Sequence, residues 1–326
     1  MSADDQTFSE QLEPHRRELH AHCYRMLGSV QDAEDAVQET LLRAWRGLDQ
    51  FEGRSGLRSW LYTIATNVCL RMIERRPARV LPIDYGPPSD PHGSLSPPLV
   101  ESTWIEPYPD AELSLGGALA GPEVRYEARE AVELAFIAAL QHLPPRQRAV
   151  LILRDVLGFS GAEVAAALET TPASVYSLLQ RAHATVDERL PERSQQATLR
   201  SLGDEELSAI VNRFVDAWSQ GDVDSIAEML TDTASLAMPP TPTWLHGRDT
   251  IASFLRRTAL DGTRSWQMLP TTANGQPAVA AYLRDASGQY LPYGVTVLTL
   301  TAEGIAEINT FRDPSAPERF GLPGRL

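Results

Sequence analysis

The chain has 326 residues, enough for two or three domains with separate cores, and carries a net charge of −14 although all 29 of its basic residues are arginine. That balance argues against tight nucleic-acid binding by the chain alone, because few phosphates would be neutralised, and DNA contact would need a partner that supplies affinity. The amino end MSADDQTFSE is polar and acidic and no apolar run approaches bilayer length, which predicts a cytoplasmic protein without membrane contact. Cys23 and Cys69 have no CxxC or His/Cys cluster near them and predict buried thiols, with no metal site and no cofactor.

Residues 10–79 read as helical throughout. Asp32 is placed to cap a helix whose Ala33, Ala36, Val37, Thr40, Leu41, Ala44, Trp45 and Leu48 share one face, with Glu34, Asp35, Gln38 and Glu39 on its first two turns. Acidic side chains at a helix start are commonly dipole partners only. After the loop GLDQFEGRSG a further helix opens at Leu57, with Trp60, Leu61, Ile64, Ala65, Val68 and Met72 inward. Thr63, Asn67, Arg71 and Arg75 recur every four residues on another side. Such a stripe is the usual composition of a solvated face, and it is also what nucleic-acid contact needs.

Residues 80–128 differ in kind. No arginine lies between Arg79 and Arg125, and nine of the 24 prolines fall between Leu81 and Pro122, so this segment cannot bury enough apolar surface to fold alone. It reads as an extended acidic linker. Within it Trp104 to Asp110, WIEPYPD, has the look of a docking motif, and a solvated tether describes the remainder equally well.

Residues 129–190 form a second helical domain. Glu130 to Gln141 and Arg146 to Leu157 are apolar-periodic, separated by Leu143-Pro144-Pro145. Ser160 and Glu163 then make a capping box, and Thr171-Pro172 restarts the helix with a capping hydroxyl and a proline where no amide is needed. Val175, Leu178, Leu179, Ala182 and Val186 turn inward. Ser174, Tyr176, Ser177, Gln180, Arg181 and His183 are left for a DNA groove, the layout of a recognition helix; an ordinary helical hairpin is the plain alternative.

The stretches DAEDAVQETLLRAWR (32–46), FEGRSGLRSWLYTIATNVCLRMIERR (51–76) and LPPRQRAVLILRDVLGFSGAEVAAAL (143–168) resemble the ECF sigma factors of bacterial RNA polymerase. The resemblance implies that 10–79 is region 2 and 129–190 is region 4. It implies docking on the clamp helices of the β and β′ subunits of core RNA polymerase through Asp32, Glu34, Asp35, Gln38 and Glu39. Phe51, Arg54 and Ser55 would capture an unstacked base of the promoter minus-10 element, while Thr63, Asn67, Arg71 and Arg75 contact the melted strand. Ser174, Tyr176, Ser177, Gln180, Arg181 and His183 would read the minus-35 element, and the linker would thread the polymerase active-site channel and RNA exit path. Glu169 departs from the pattern at a turn where glycine is common. Tyr176, Leu179 and His183 stand where basic residues are frequent, which implies fewer phosphate contacts and a shallower salt slope.

Beyond a polar linker at 191–204, residues 205–326 are mixed α+β. Leu207, Ile210, Val211, Phe214 and Trp218 mark a helix ended by Gly221, and Asp222 caps a short one. Ala234 to Met238 is strand-like, Arg248 to Arg257 helical, and Trp266 to Thr272, Ala278 to Arg284, Gln289 to Thr301 and Ile305 to Arg312 read as an antiparallel sheet. ELSAIVNRFVDAWSQGDVDSIAEMLTD, MPPTPTWLHGRDTIASFL and VTVLTLTAEGIAEINTFRDP resemble the SnoaL-like group of the cone-shaped NTF2-like fold. Sigma region 2, region 4 and such a tail, with WIEPYPD and the terminal FGLP, resemble the SigG-like ECF subgroup. The expected fold is thus multidomain: two all-α domains, then one α+β domain.

For that tail, His246, Tyr282, Tyr293 and Asp313 are candidates for acid–base work. Met238, Trp244, His246, Tyr282, Tyr293 and Phe311 would suit a pocket, although aromatic core filling explains the aromatic ones equally well. Without paired carboxylates a regulatory module with no catalytic residues is favoured. It would modulate the sigma domains by direct contact or by sensing a small molecule; the alternative is an isomerase, cyclase or hydratase fused to the transcription factor.

Overall fold

A computed structural model describes residues 3–48, 56–76, 78–93, 95–99, 103–113 and 129–326, and for 3–11 only the backbone. The chain forms two compact units, Met1–Arg79 with Glu112–Pro191, and Val80–Ala111 with Glu192–Leu326.

The first unit is helical. α1 (Ala3–Leu27), α2 (Val30–Arg46) and α3 (Leu57–Ile73) pack around Leu19, Cys23, Met26, Ala33, Val37, Leu61, Ala65 and Val68. α2 starts two residues before Asp32. Ser29 is its cap, accepting from the Asp32 amide at 3.1 Å from an extended conformation, so the Asp32 carboxylate is released for other work. Trp45, placed by its spacing on the face of Ala33, Ala36, Val37 and Ala44, is 53% exposed where those four are buried. Both cysteines are buried free thiols.

α4 (Leu134–Gln141), α5 (Pro145–Leu151), α6 (Gly161–Ala167) and α7 (Pro172–Asp187) follow in the same unit. α5 runs on into a π-turn over Ile152–Val156, closed by Leu157 N donating to Ile152 O. The capping box forms as predicted: the Ser160 hydroxyl accepts from the Glu163 amide and the Glu163 carboxylate accepts from the Ser160 amide. Glu169 sits at φ +50 between α6 and α7, the left-handed conformation that explains why glycine suits this turn.

The two helical domains expected from sequence are packed into one body. Arg25 Nε donates to Ala131 O at 2.9 Å. Arg148, 2% exposed, reaches back to the Met26 carbonyl while also donating to Gln141 Oε1 at 2.6 Å and Gln141 O at 3.0 Å. Its acceptors are neutral oxygens, and burial lowers its pKa to about 10.

The second unit is a six-stranded sheet in the order β2-β1-β6-β5-β4-β3. α8 (Gln195–Leu202), α9 (Asp204–Gln220) and α10 (Val223–Met229) precede β1 (Leu230–Ala237) and β2 (Trp244–His246), then α11 (Arg248–Arg257) precedes β3 (Trp266–Ala273), β4 (Gln276–Arg284), β5 (Tyr290–Thr301) and β6 (Gly304–Phe311). The pairing is antiparallel as predicted except for β1 and β6, which run parallel. α9, α10 and α11 cover one face, burying Phe214, Ile226, Ile251 and Leu255 against Leu236, Val279, Leu298 and Ile308. Asn274 (φ +56) and Gly275 (φ +68) turn the β3–β4 hairpin, an Asn-Gly signal of the I′ type.

Two segments read as linkers are structured here. Residues 195–202 form α8, capped by Ser194. Gln195 Nε2 donates to Leu300 O at 2.7 Å and its Oε1 accepts from Leu300 N at 2.9 Å, beyond the last β4 partner at Val297. One side-chain amide thus stands in for a missing strand neighbour. Residues 80–111 are strapped onto the sheet unit. Val80 bridges Trp104, Trp104 Nε1 donates to Pro240 O at 2.9 Å, and Tyr108 N donates to Asn274 Oδ1 at 2.8 Å. Trp104, Ile105 and Tyr108 are at most 3% exposed. The segment lacks a core of its own; it borrows one.

Candidate functional site

Three surfaces carry the residues singled out in the sequence. On α2, Asp35 and Gln38 are exposed and Glu34 and Glu39 half-buried. Glu34 accepts from Arg16 at 2.5 Å and from Gln38 at 3.2 Å, and Glu39 from Arg43 at 2.5 Å. Asp32 is placed differently. Its carboxylate is 7% exposed, ion-paired to Arg76 and to Arg79 at 2.7 Å. Burial alone would push this carboxyl up; the hydrogen bonds and charges of the two arginines hold it below the ordinary carboxylate range. It ties α2 to the segment after α3 and is not presented on the face that Asp35 shares with Gln38. That face continues into Leu42 and Trp45, 50% and 53% exposed, which the sequence reading left off it. Counting on from Asp35 in steps of three and four would have found them.

On α3, Arg71 and the following Arg75 are exposed, whereas Thr63 and Asn67 are half-buried. Thr63 donates to Ser59 O at 2.9 Å, and Asn67 Nδ2 lies 3.5 Å from Ala167 O on α6. Phe51, Arg54 and Ser55 lie outside the described residues. On α7, Tyr176, Ser177, Gln180, Arg181 and His183 are exposed and Ser174 half-buried. The Tyr176 hydroxyl covers Gly161, where a Cβ would lie 3.2 Å from it, and His183 Nε2 meets Asp155 at 2.6 Å. The Tyr176 contact joins the first and second helices of the helix-turn-helix, and the His183 contact ties the second to the π-turn after α5.

In the sheet unit the pocket residues of the sequence reading are not gathered. Met238 and Tyr293 line a cavity between sheet and helices, together with Trp218, Trp266, Arg264 and Arg312. Trp244 instead donates to Gly86 O at 2.7 Å, and exposed His246 lies against its edge with centroids 6.3 Å apart. Tyr282 donates to Pro323 O at 2.8 Å, and burial raises its pKa. Phe311 pairs with Val295, and its backbone carbonyl lies where a Cβ at Gly294 would fall. Asp313 is partly buried, which opposes ionisation, but Ser315 and Arg319 hold its carboxyl below the ordinary range. The four acid–base candidates are therefore not brought to one point. Among the described residues no group of three His, Cys, Asp or Glu side chains is arranged to hold a metal, and no helix is long and apolar enough to cross a membrane.

Residues 12–78 match the Sigma-70 region 2 family, residues 133–185 match Sigma-70, region 4, and residues 211–308 match the SnoaL-like domain. The chain is 43% identical to the ECF RNA polymerase sigma factor SigG of Mycobacterium tuberculosis over 329 aligned positions, covering 98% of this chain and 85% of that protein. The chain belongs to the ECF RNA polymerase sigma factors. Another ECF factor, SigJ of the same organism, is 27% identical over 75% of this chain and 71% of its own length. The SigJ crystal structure shares the fold, with a TM-score of 0.57 over 97% of this chain and 99% of that one at 22% identity. As an ECF sigma factor the protein binds RNA polymerase and directs it to promoter DNA; its helical regions are followed by a SnoaL-like α+β domain.

Proposed function

We propose that the α2 face formed by Asp35, Gln38, Leu42 and Trp45, with Glu34 and Glu39 at its margin, docks on the clamp helices of the β and β′ subunits. An exposed indole and leucine beside an exposed carboxylate suit a hot spot with a charged rim. Asp32 acts inside the fold. Arg71 and Arg75, with Phe51, Arg54, Ser55, Thr63 and Asn67, take the minus-10 strand, and Ser174, Tyr176, Ser177, Gln180, Arg181 and His183 take the minus-35 duplex.

The SnoaL-like domain restrains this activity by holding residues 80–111. The observation that carries this reading is the burial of Trp104, Ile105 and Tyr108 against that domain, because a segment docked there cannot at the same time thread a polymerase channel. Run-off transcription with core polymerase on the promoter upstream of the protein's own gene tests both parts. Asp35→Arg and Trp45→Ala are expected to lower co-purification with core polymerase about tenfold, a loss of roughly 1.4 kcal/mol. Trp104→Ala, in the full chain, is expected to give more transcript than the wild type. Less transcript would mean that strap docking is needed for initiation, and unchanged core binding would remove α2 as the docking face.

A further inference from the structure

The cavity of the SnoaL-like domain has a volume of about 50 Å³ and lies between the sheet and α9 and α11. Its body is apolar, with Leu236, Phe254, Trp266 and Tyr293 contributing wall. Its charge is one-sided: the lining includes Arg264 and Arg312 and no aspartate or glutamate. Arg312 lies with its guanidinium carbon 5.4 Å from the centre of the Tyr293 ring, and its Nε is buried without an acceptor. Trp218, 7% exposed, lines the same cavity with its indole Nε1 likewise buried and unaccepted.

A buried donor without an acceptor costs about 1–3 kcal/mol, and folded proteins leave few of them. Two on residues that line one apolar cavity, beside two cations with no lining carboxylate, match an occupant that brings acceptor oxygens and one negative charge on an apolar body. A phosphate would arrive with a charge and hydration that so apolar a lining could not replace.

Size adds a second condition. A single aromatic ring needs a cavity of about 150 Å³, larger than the one present. The exposed members of the lining are Arg264 and Leu95, and Leu95 is 42% exposed and belongs to the strapped segment, not to the sheet or its helices. We propose that this cavity binds a small carboxylic acid with an apolar body of about one ring, its carboxylate received by Arg312 and Trp218, and that the acid displaces Leu95 and loosens residues 80–111. The binding site stands on the cavity alone; its bearing on transcription rests on the restraint proposed above.

The test uses the full chain with 3-phenylpropionate and its uncharged counterpart 3-phenylpropanamide, followed by calorimetry and tryptophan fluorescence. The acid is expected to saturate, with the amide at least tenfold weaker. Arg312→Gln should weaken the acid at least tenfold and Trp218→Phe, which keeps a ring and removes only the indole donor, about threefold. Leu95→Ala should tighten it. Chymotryptic cleavage within 80–111 should quicken when the acid saturates. No saturable binding of the acid, equal binding of the amide, or an Arg312→Gln variant that melts like the wild type and binds like it overturns the site. Saturable binding that leaves cleavage unchanged or slows it overturns the displacement. None of these readings involves polymerase, so they stand or fall separately from the transcription assay.

Discussion

Tyr62 on α3 and Phe159 before α6 meet edge to face with ring centroids 5.5 Å apart, and the Arg58 guanidinium lies over both rings, 5.0 and 5.2 Å from their centres. This contact holds region 4 against the side of α3 that carries Thr63 and Asn67. On the minus-10 assignment proposed above, the free protein covers part of its strand-binding surface. Phe159→Ala removes the edge contact and the cation-π partner, worth together about 1–3 kcal/mol. Binding of a fluorescent single-stranded minus-10 oligonucleotide should rise several-fold, steeply dependent on salt. A variant that keeps its helical content and gains no affinity would show that the covered face is not the strand-binding one.

His22 gives the helical unit an acid-sensitive core. Its ring is fully buried, Nε2 lies 3.0 Å from Thr66 Oγ1, and Thr66 in turn donates to Tyr62 O, so the neutral ring supplies the proton. Burial, then the charges of Arg25 and Arg58, lower its pKa from 6.5 to about 3. The unfolded chain takes up the proton first, so His22 favours the fold fully above pH 6.5 and this contribution is lost as pH falls towards 3, on the order of 5 kcal/mol in all. His20, also lowered chiefly by burial, acts in the same direction. Urea midpoints between pH 7 and 4 should fall less steeply in His22→Gln than in the wild type; parallel slopes would discount the buried ring.

Gln195 completes the sheet from outside it. In Gln195→Ala the Leu300 amide and carbonyl lose a partner in a dry setting, which should destabilise the sheet unit by about 2–4 kcal/mol. Gln195→Glu should be no better, since a carboxylate can accept from Leu300 N but cannot donate to Leu300 O. Thermal melting of the two variants checks this, and a change within 0.5 kcal/mol would mean that water replaces the amide without penalty.

Glu169 offers the opposite sign. A non-glycine residue at φ +50 costs about 1 kcal/mol, so Glu169→Gly should raise the melting temperature of the helical unit by a few degrees, the gain trimmed by greater freedom of the unfolded chain. A fall in melting temperature would show that the Glu169 side chain contributes more than its backbone costs.

Most of the helices and strands were legible because their signals are local. Ser160 and Glu163 specify a helix start by themselves, Thr171-Pro172 another, and the apolar run from Ala278 to Leu283 places β4 within two residues. What escaped depends on partners far along the chain. Trp104, Ile105 and Tyr108 belong to a segment too poor in apolar residues to fold alone, and their burial depends on a surface built more than a hundred residues later. Ser194 and Gln195 look like linker until Leu300 is beside them. Asp32 reads as a docking acid until Arg76 and Arg79 are brought to it. The cavity was misread for a related reason: Met238 and Tyr293 were found by type, but whether a residue points inward depends on bulges such as the one between Ala281 and Tyr282 on β4, which periodicity alone does not reveal.

The place of β6 sets an order of events during synthesis. β6 is the last strand of the sheet, yet it lies between β1 and β5. Until the ribosome has released Gly304–Phe311, the two halves of the sheet have no common member, and the platform under Trp104 and Tyr108 cannot be finished. Region 2 and region 4 are translated, and can close on each other, while the strap between them is still undocked. A ribosome stalled before β6 would expose a nascent sigma factor with that strap loose, and synthesis of the tail is the step that lets the strap dock.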